Sequence, residues 1–168
     1  EILGRPTRYK SYWWSPDSKQ IVFMRMDDTK VPLFPIYSES GQHGYSENTR
    51  YPKAGDPNPT VRIGITPVDG GQLTWADFNE NEDQYFGMPY WMPDAKTLLI
   101  QWMNRGQDNL IVYAVNPSNG SKKEVYNEKQ KTWIDLDDQG GRISFLGENK
   151  GFILQSDKDG WDQLYLHN

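Results

Sequence analysis

The chain has 168 residues, 36% hydrophobic, 24% charged and 14% aromatic, which is enough apolar material for one or two small cores and too much for a disordered segment. Its 18 Lys and Arg against 23 Asp and Glu give a net charge of -5, and no basic run exceeds the pair Lys122 and Lys123, which argues against a nucleic-acid surface. The longest apolar run, Leu110 to Val115, is far too short for a membrane-spanning helix, and the lack of cysteine removes disulfides, thiolate metal sites and a cysteine nucleophile.

Glycines (15) and prolines (11) separate short apolar or aromatic runs, and no stretch places apolar residues at i, i+3, i+4 and i+7, so the punctuation predicts strands. The first two are expected near Tyr9 to Trp14 and Ile21 to Met26. The segment from Asp27 to Pro59, rich in Pro, Gly, Ser and Tyr, interrupts the array. Such an insertion reads as a functional or interface element, or as an excursion over a neighbouring sheet. Val61, Ile63 and Ile65 alternate with Arg62, Gly64 and Thr66, and Asp69, Gly70 and Gly71 supply turn chemistry, which predicts a hairpin of Val61 to Pro67 with Gln72 to Ala76. Tyr85 to Trp91 and Thr97 to Met103 follow as strands. Asn109 to Val115 is apolar on both parities from Leu110 onward and is predicted to be buried on both faces; a turn at Asn116 to Gly120 leads into a polar strand, Lys122 to Tyr126. Gly141 to Phe145, Gly151 to Gln155 and Gln163 to His167 complete the set.

A weak internal repeat underlies these strands. Trp14, Ser15, Pro16, Asp17, Ser18, Lys19 and the apolar run beginning Ile21 line up with Trp91, Met92, Pro93, Asp94, Ala95, Lys96 and the run beginning Leu98. A degenerate third copy runs from Phe145 through Gly147, Asn149 and Lys150 to Phe152. In the first two copies proline presets φ and Asp can bond its own backbone, while in every copy an aromatic closes one strand and an apolar strand leaves. Repeats of this kind cannot cover their own faces alone. The fold class expected is therefore all-β: a partial β-propeller of about three four-stranded antiparallel blades over 9–77, 85–127 and 141–168, the last incomplete. The chain starts at Glu1 and stops within a predicted strand, so it reads as a piece of a longer polypeptide whose open sheet edges are expected to associate or swap.

Chemical motifs are absent: there is no G-x-S-x-G, no phosphate loop and no H-E-x-x-H, so no catalytic residue, metal or cofactor is expected in this segment. His43, in a loop, reads as solvated, and neither it nor His167, near the end of the sequence, is a strong candidate for a ligand or base. The acidic clusters Glu80, Glu82, Asp83 and Asp135, Asp137, Asp138 lack the spacing of a calcium loop and read as solvated loops. Asn119, Gly120 and Ser121 form an N-glycosylation triplet with meaning only in a eukaryotic secretory protein. The seven tryptophans could stack on sugars, but the recurrence of Trp14, Trp91 and Phe145 at one place in each repeat favours blade-to-blade packing.

Several blocks resemble the propeller domain of the dipeptidyl peptidase IV family. They are Tyr12 to Asp17, Asp27 to Pro32, Tyr51 to Pro59 with Val61, Gln101 to Arg105 with Gln107, Lys131 to Trp133, and Ser156 to Trp161 with Leu164 and Tyr165. The most specific of them is Tyr51, Pro52, Lys53, Ala54, Gly55. The resemblance implies an eight-bladed propeller joined to an α/β-hydrolase domain that carries the Ser, Asp and His of a prolyl oligopeptidase-type serine peptidase, periplasmic or secreted and homodimeric. It also implies that paired glutamates just before the Trp-Ser-Pro strand grip the free amino terminus of a peptide substrate; Glu1 falls where the second of the pair is expected. Fixing that amine acts as a ruler, since two extended residues span at most about 7 Å. After Trp133, animal members carry an aromatic and an arginine near the substrate pocket, where this chain has Ile134, Asp135, Leu136, Asp137 and Asp138, so those contacts do not carry over. The competing readings are a propeller used only as a protein-interaction scaffold and a carbohydrate-binding β module.

Overall fold

A computed structural model describes residues 10–134, 143–147 and 150–167. The expectations for Glu1, Tyr9, Asp135, Leu136, Asp137, Asp138, Gly141 and Asn149 lie outside the described residues. All regular structure among those described is antiparallel strand, with no α-helix.

Three sheets follow one another along the chain. The first holds β1 (Tyr12–Trp14), β2 (Gln20–Asp27), β5 (Thr60–Pro67) and β6 (Thr74–Trp75), in the order β1-β2-β5-β6. Between β2 and β5 the insertion forms its own two-stranded hairpin, β3 (Leu33–Ser38) with β4 (Tyr45–Arg50). The second sheet holds β7 (Gln84–Phe86), β8 (Tyr90–Trp91), β9 (Leu98–Asn104), β10 (Asn109–Val115) and β11 (Lys122–Lys129), with β7 and β8 both paired to β9. The third holds β12 (Ile143–Phe145), β13 (Phe152–Ser156) and β14 (Gln163–His167).

The strand expected over Tyr85 to Trp91 is thus broken in two. Pro89 has no N–H for the ladder, and Gly87 lies close against Gln101, so the chain leaves the strand for three residues and rejoins β9 at Tyr90 with its register shifted by one residue. The other expected strands lie within a few residues of their bounds, and β10 and β14 coincide with them, whereas β3 and β4 lie in the insertion, where no strand is expected from sequence.

The repeat is visible as geometry. Trp14 pairs with Ile21, Trp91 with Leu98 and Phe145 with Phe152. The amides of Ser15, Met92 and Leu146 donate to the carbonyls of Gln20, Thr97 and Gly151 at 2.9, 2.9 and 3.0 Å. In the first two copies Asp17 and Asp94 accept from the backbone of Lys19 and Lys96, holding Ser18 and Ala95 at φ values of 60° and 58°.

The core sits between the sheets. Val22, Met24, Ile63 and Ile65 of the first sheet meet Trp91, Leu98, Ile100 and Val115 of the second. On the opposite face Leu99 and Val112 meet Ile143, Phe152 and Leu154 of the third. Because both faces are covered, β10 is apolar without alternation from Leu110 onward, as expected, and β9 is buried on both parities, its Gln101 included. Gly120, at φ 76°, lets the turn of the second sheet lie against the Trp75 carbonyl, where any Cβ would collide with backbone.

The equivalence of the repeat tryptophans does not extend to burial. Trp91 is 8% exposed because the first sheet lies against it, whereas Trp14, at the same hairpin position, is 50% exposed. Packing between sheets, and not the repeat by itself, buries the aromatic.

Candidate functional site

Strand direction sorts the connections onto two rims. The tight turns 15–19, 68–73, 92–97, 116–121 and 146–151 lie at one end of the sheets. At the other end are the start of β1, the insertion, and the connections at 105–108, 130–134 and 157–162. Chemistry-bearing side chains gather at this second, open rim.

On the first sheet a cleft of about 240 Å³ is lined by Arg25, Asp27, Thr29, Lys30, Thr60, Arg62 and Glu80. Arg25 and Arg62 are cross-strand partners, a repulsive pair that is offset because Arg62 lies 4.0 Å over the Trp75 ring and reaches Glu80 at 3.4 Å. The hydroxyl and amide of Thr29 donate to Asp27 at 2.6 and 3.0 Å and hold its carboxyl below the usual range.

The acidic cluster of the following loop is divided among separate partners. Glu80 pairs with Arg62, while Asp83 takes Arg105 at 2.7 Å and raises the guanidinium above its ordinary value. Asn58 donates to Asp83 at 3.1 Å and to the Tyr85 hydroxyl at 2.9 Å, tying the end of the insertion to the second sheet. No group of three or more His, Asp or Glu among the described residues is arranged to hold a metal ion.

Between the second and third sheets lies a polar network that strand assignment from sequence misses. Glu128 is 3% exposed. Its Oε2 accepts from the Tyr126 hydroxyl at 2.5 Å and the Ser156 hydroxyl at 2.8 Å, and its Oε1 accepts from Gln130 Nε2 at 2.6 Å. Gln130 donates as well to Asp157 at 2.8 Å. Burial first, then the bond to Glu128, pushes the Tyr126 phenol well above its ordinary value. Nearby, Lys158 lies 3.8 Å over the Tyr165 ring, and the hydrogen bond from Tyr165 to Asp159 raises that phenol to about 12.

Glu1, the one predicted binding residue, lies outside the described residues. His43 is exposed in the hairpin turn, as expected. His167 is half-buried: its ring stacks on Phe152 at 5.1 Å and meets Tyr126 edge-on at 4.8 Å, and burial lowers its pKa. Pairing of β14 with β13 brings it against these rings, which its position near the end of the sequence does not reveal. Of the tryptophans, Trp133 and Trp161 stand in the rim loops at 74% and 77% exposure and do no core packing.

A family model for the dipeptidyl peptidase IV (DPP IV) N-terminal region matches residues 1–168. The chain belongs to this family. "Probable dipeptidyl peptidase 4" of Neosartorya fischeri is 30% identical over 99% of this chain, which covers 23% of that protein. "Inactive dipeptidyl peptidase 10" of Rattus norvegicus is 28% identical over 74% of the chain and 16% of its own length. Among solved structures, a dipeptidyl aminopeptidase IV candidate of Bacteroides ovatus superposes with a TM-score of 0.85 at 28% identity, over all of this chain and 25% of that one. Porphyromonas gingivalis dipeptidyl peptidase 4 superposes at 0.83 and 26% identity, over 94% and 22% of the two chains. The chain therefore spans about a quarter or less of these DPP IV relatives, and its open, stacked sheets are part of a DPP IV N-terminal propeller.

Proposed function

We propose that the chain is a non-catalytic propeller segment of a serine dipeptidyl peptidase that removes N-terminal dipeptides of Xaa-Pro or Xaa-Ala type. Its part is to bind the substrate's amino terminus and shape access to a catalytic α/β-hydrolase domain elsewhere in the same polypeptide, which is periplasmic or secreted. The observation that carries this reading is the match of the whole chain to a DPP IV N-terminal region. The open rim supports it, because β1 begins there, and residues leading into β1 are those that the family resemblance assigns to amine binding.

A relative named inactive shares this region with relatives named as peptidases, so activity must be read on the full-length protein. There, glycyl-prolyl reporter hydrolysis is expected, with none from the 168-residue segment. An inert full-length protein would place it with the inactive members and remove the peptidase assignment; inhibitor-sensitive turnover by the segment would remove its non-catalytic role.

The full-length protein is further proposed to be a homodimer. The observation favouring this is the β3–β4 hairpin, which pairs only with itself among the described residues and exposes Leu33, Ile36, Tyr37 and Tyr45. Replacing Ile36 and Tyr37 with serine is expected to shift sedimentation from dimer to monomer. A dimer that survives the change would locate the contact elsewhere.

A further inference from the structure

Among the described residues the buried carboxylate of Glu128 has no cation in hydrogen-bonding contact, and burying such a group costs several kcal/mol unless donors satisfy it. An apolar residue of similar size would serve sheet packing at least as well, so the network does something that packing alone does not.

What it does follows from how it is built. Lys122 and Glu124 have the same parity as Tyr126 and Glu128, and regular pairing would put all four on one face of β11. The register with β10 shifts between Val112 and Tyr113, so that Val125 has no cross-strand partner. This bulge turns Tyr126 and Glu128 toward the third sheet, opposite Val112 and Leu110. Ser156, the last residue of β13, reaches Glu128 from the third sheet, and Gln130 carries the contact on to Asp157. Two rim segments start from these points. The segment 130–134 is held further by the amides of Gln130 and Ile134, which donate to the carbonyls of Asp108 and Gln107 at 3.0 and 2.8 Å, and by Ile134, which is buried. The turn 157–162 starts at Asp157.

We infer that Glu128 is a positioning residue, a polar clamp between two sheets that holds the rim segments 130–134 and 157–162, and with them the exposed indoles Trp133 and Trp161, in one arrangement. Resting on the proposal that the open rim receives the substrate's amino end, the clamp sets substrate affinity without touching substrate.

The test is Glu128→Gln in the full-length protein. Glutamine keeps the shape but has one acceptor oxygen, so Gln130 or the pair Tyr126 and Ser156 must face an amide NH₂. Backbone hydrogen exchange at Gln130, Ile134 and Gly160 is expected to rise about tenfold, with β2 and β5 unchanged, and KM for a dipeptide-releasing substrate is expected to rise about tenfold at nearly constant kcat. Gln130→Ala, which removes the bridge to Asp157 together with the donor to Glu128 Oε1, is expected to act in the same direction at Gly160 while Oε2 keeps its two hydroxyl donors. Unchanged exchange at these amides would overturn the inference, as would a rise spread evenly over β2 and β5, or a local rise with unaltered KM. If the unmutated full-length protein releases no dipeptide, the peptidase proposal fails on its own, and the exchange pattern still decides the clamp.

Discussion

Replacing Glu1 with alanine in the full-length protein is expected to lower kcat/KM for dipeptide release by about 30-fold to several thousandfold, which corresponds to the roughly 2–5 kcal/mol lost when one partner of a desolvated charge pair is removed. The substrate's ammonium is the leading end of the peptide, and a carboxylate that holds it fixes which peptide bond reaches the nucleophile. On the proposed amine-binding role, loss of the carboxylate would leave that ammonium with one anion fewer. Substrate would then bind more weakly and in more than one register. Glu1→Gln keeps the side chain's size and loses only the charge, so it is expected to be nearly as damaging, with unfolding transitions unaltered in both variants. Steady-state kinetics on a reporter with a free amino terminus checks this. Unchanged kcat/KM would remove Glu1 from substrate binding.

Trp91→Ala is expected to destabilise the protein by about 3–5 kcal/mol, the range for truncating a large aromatic in a packed core. The Trp91 indole is buried among residues of two sheets, and its Nε1 donates to the Trp13 carbonyl at 3.4 Å, so truncation opens a cavity and leaves that carbonyl without its indole donor. Urea denaturation measures the loss, and a cost below about 1 kcal/mol would show that the sheets do not rely on this contact. Trp14→Ala is the informative companion, because it changes the same hairpin position where half the side chain is exposed. Within the packing described it is expected to cost much less. Equal losses in the full-length protein would mean that a further sheet covers Trp14.

Much of the fold is legible in the residues. The alternation of Val61, Ile63 and Ile65 with polar neighbours identifies β5, and the unbroken apolar run of β10 announces a strand covered on both faces. The Pro-Asp turns mark where two of the hairpins reverse, since proline and aspartate act within a few residues of themselves. Other features are not legible. The β3–β4 hairpin is hidden because its strands mix Pro, Ser, Asn and Tyr without one clean buried face. The candidate site is less readable still: nothing in Tyr126, Asn127, Glu128, Lys129, Gln130 looks buried, and the only local hint is that Tyr126, Glu128 and Gln130 recur at every second position.

Local chemistry settled the strands, their turns and their repeat, because backbone preference and side-chain alternation operate over a handful of neighbours. Which carboxylate is buried, which of two equivalent tryptophans is covered and where His167 rests were decided only when the sheets stacked. Those outcomes depend on a one-residue bulge at Val125 and on the sheet that happens to lie opposite, and burial is a property of that opposing surface, which no single strand contains.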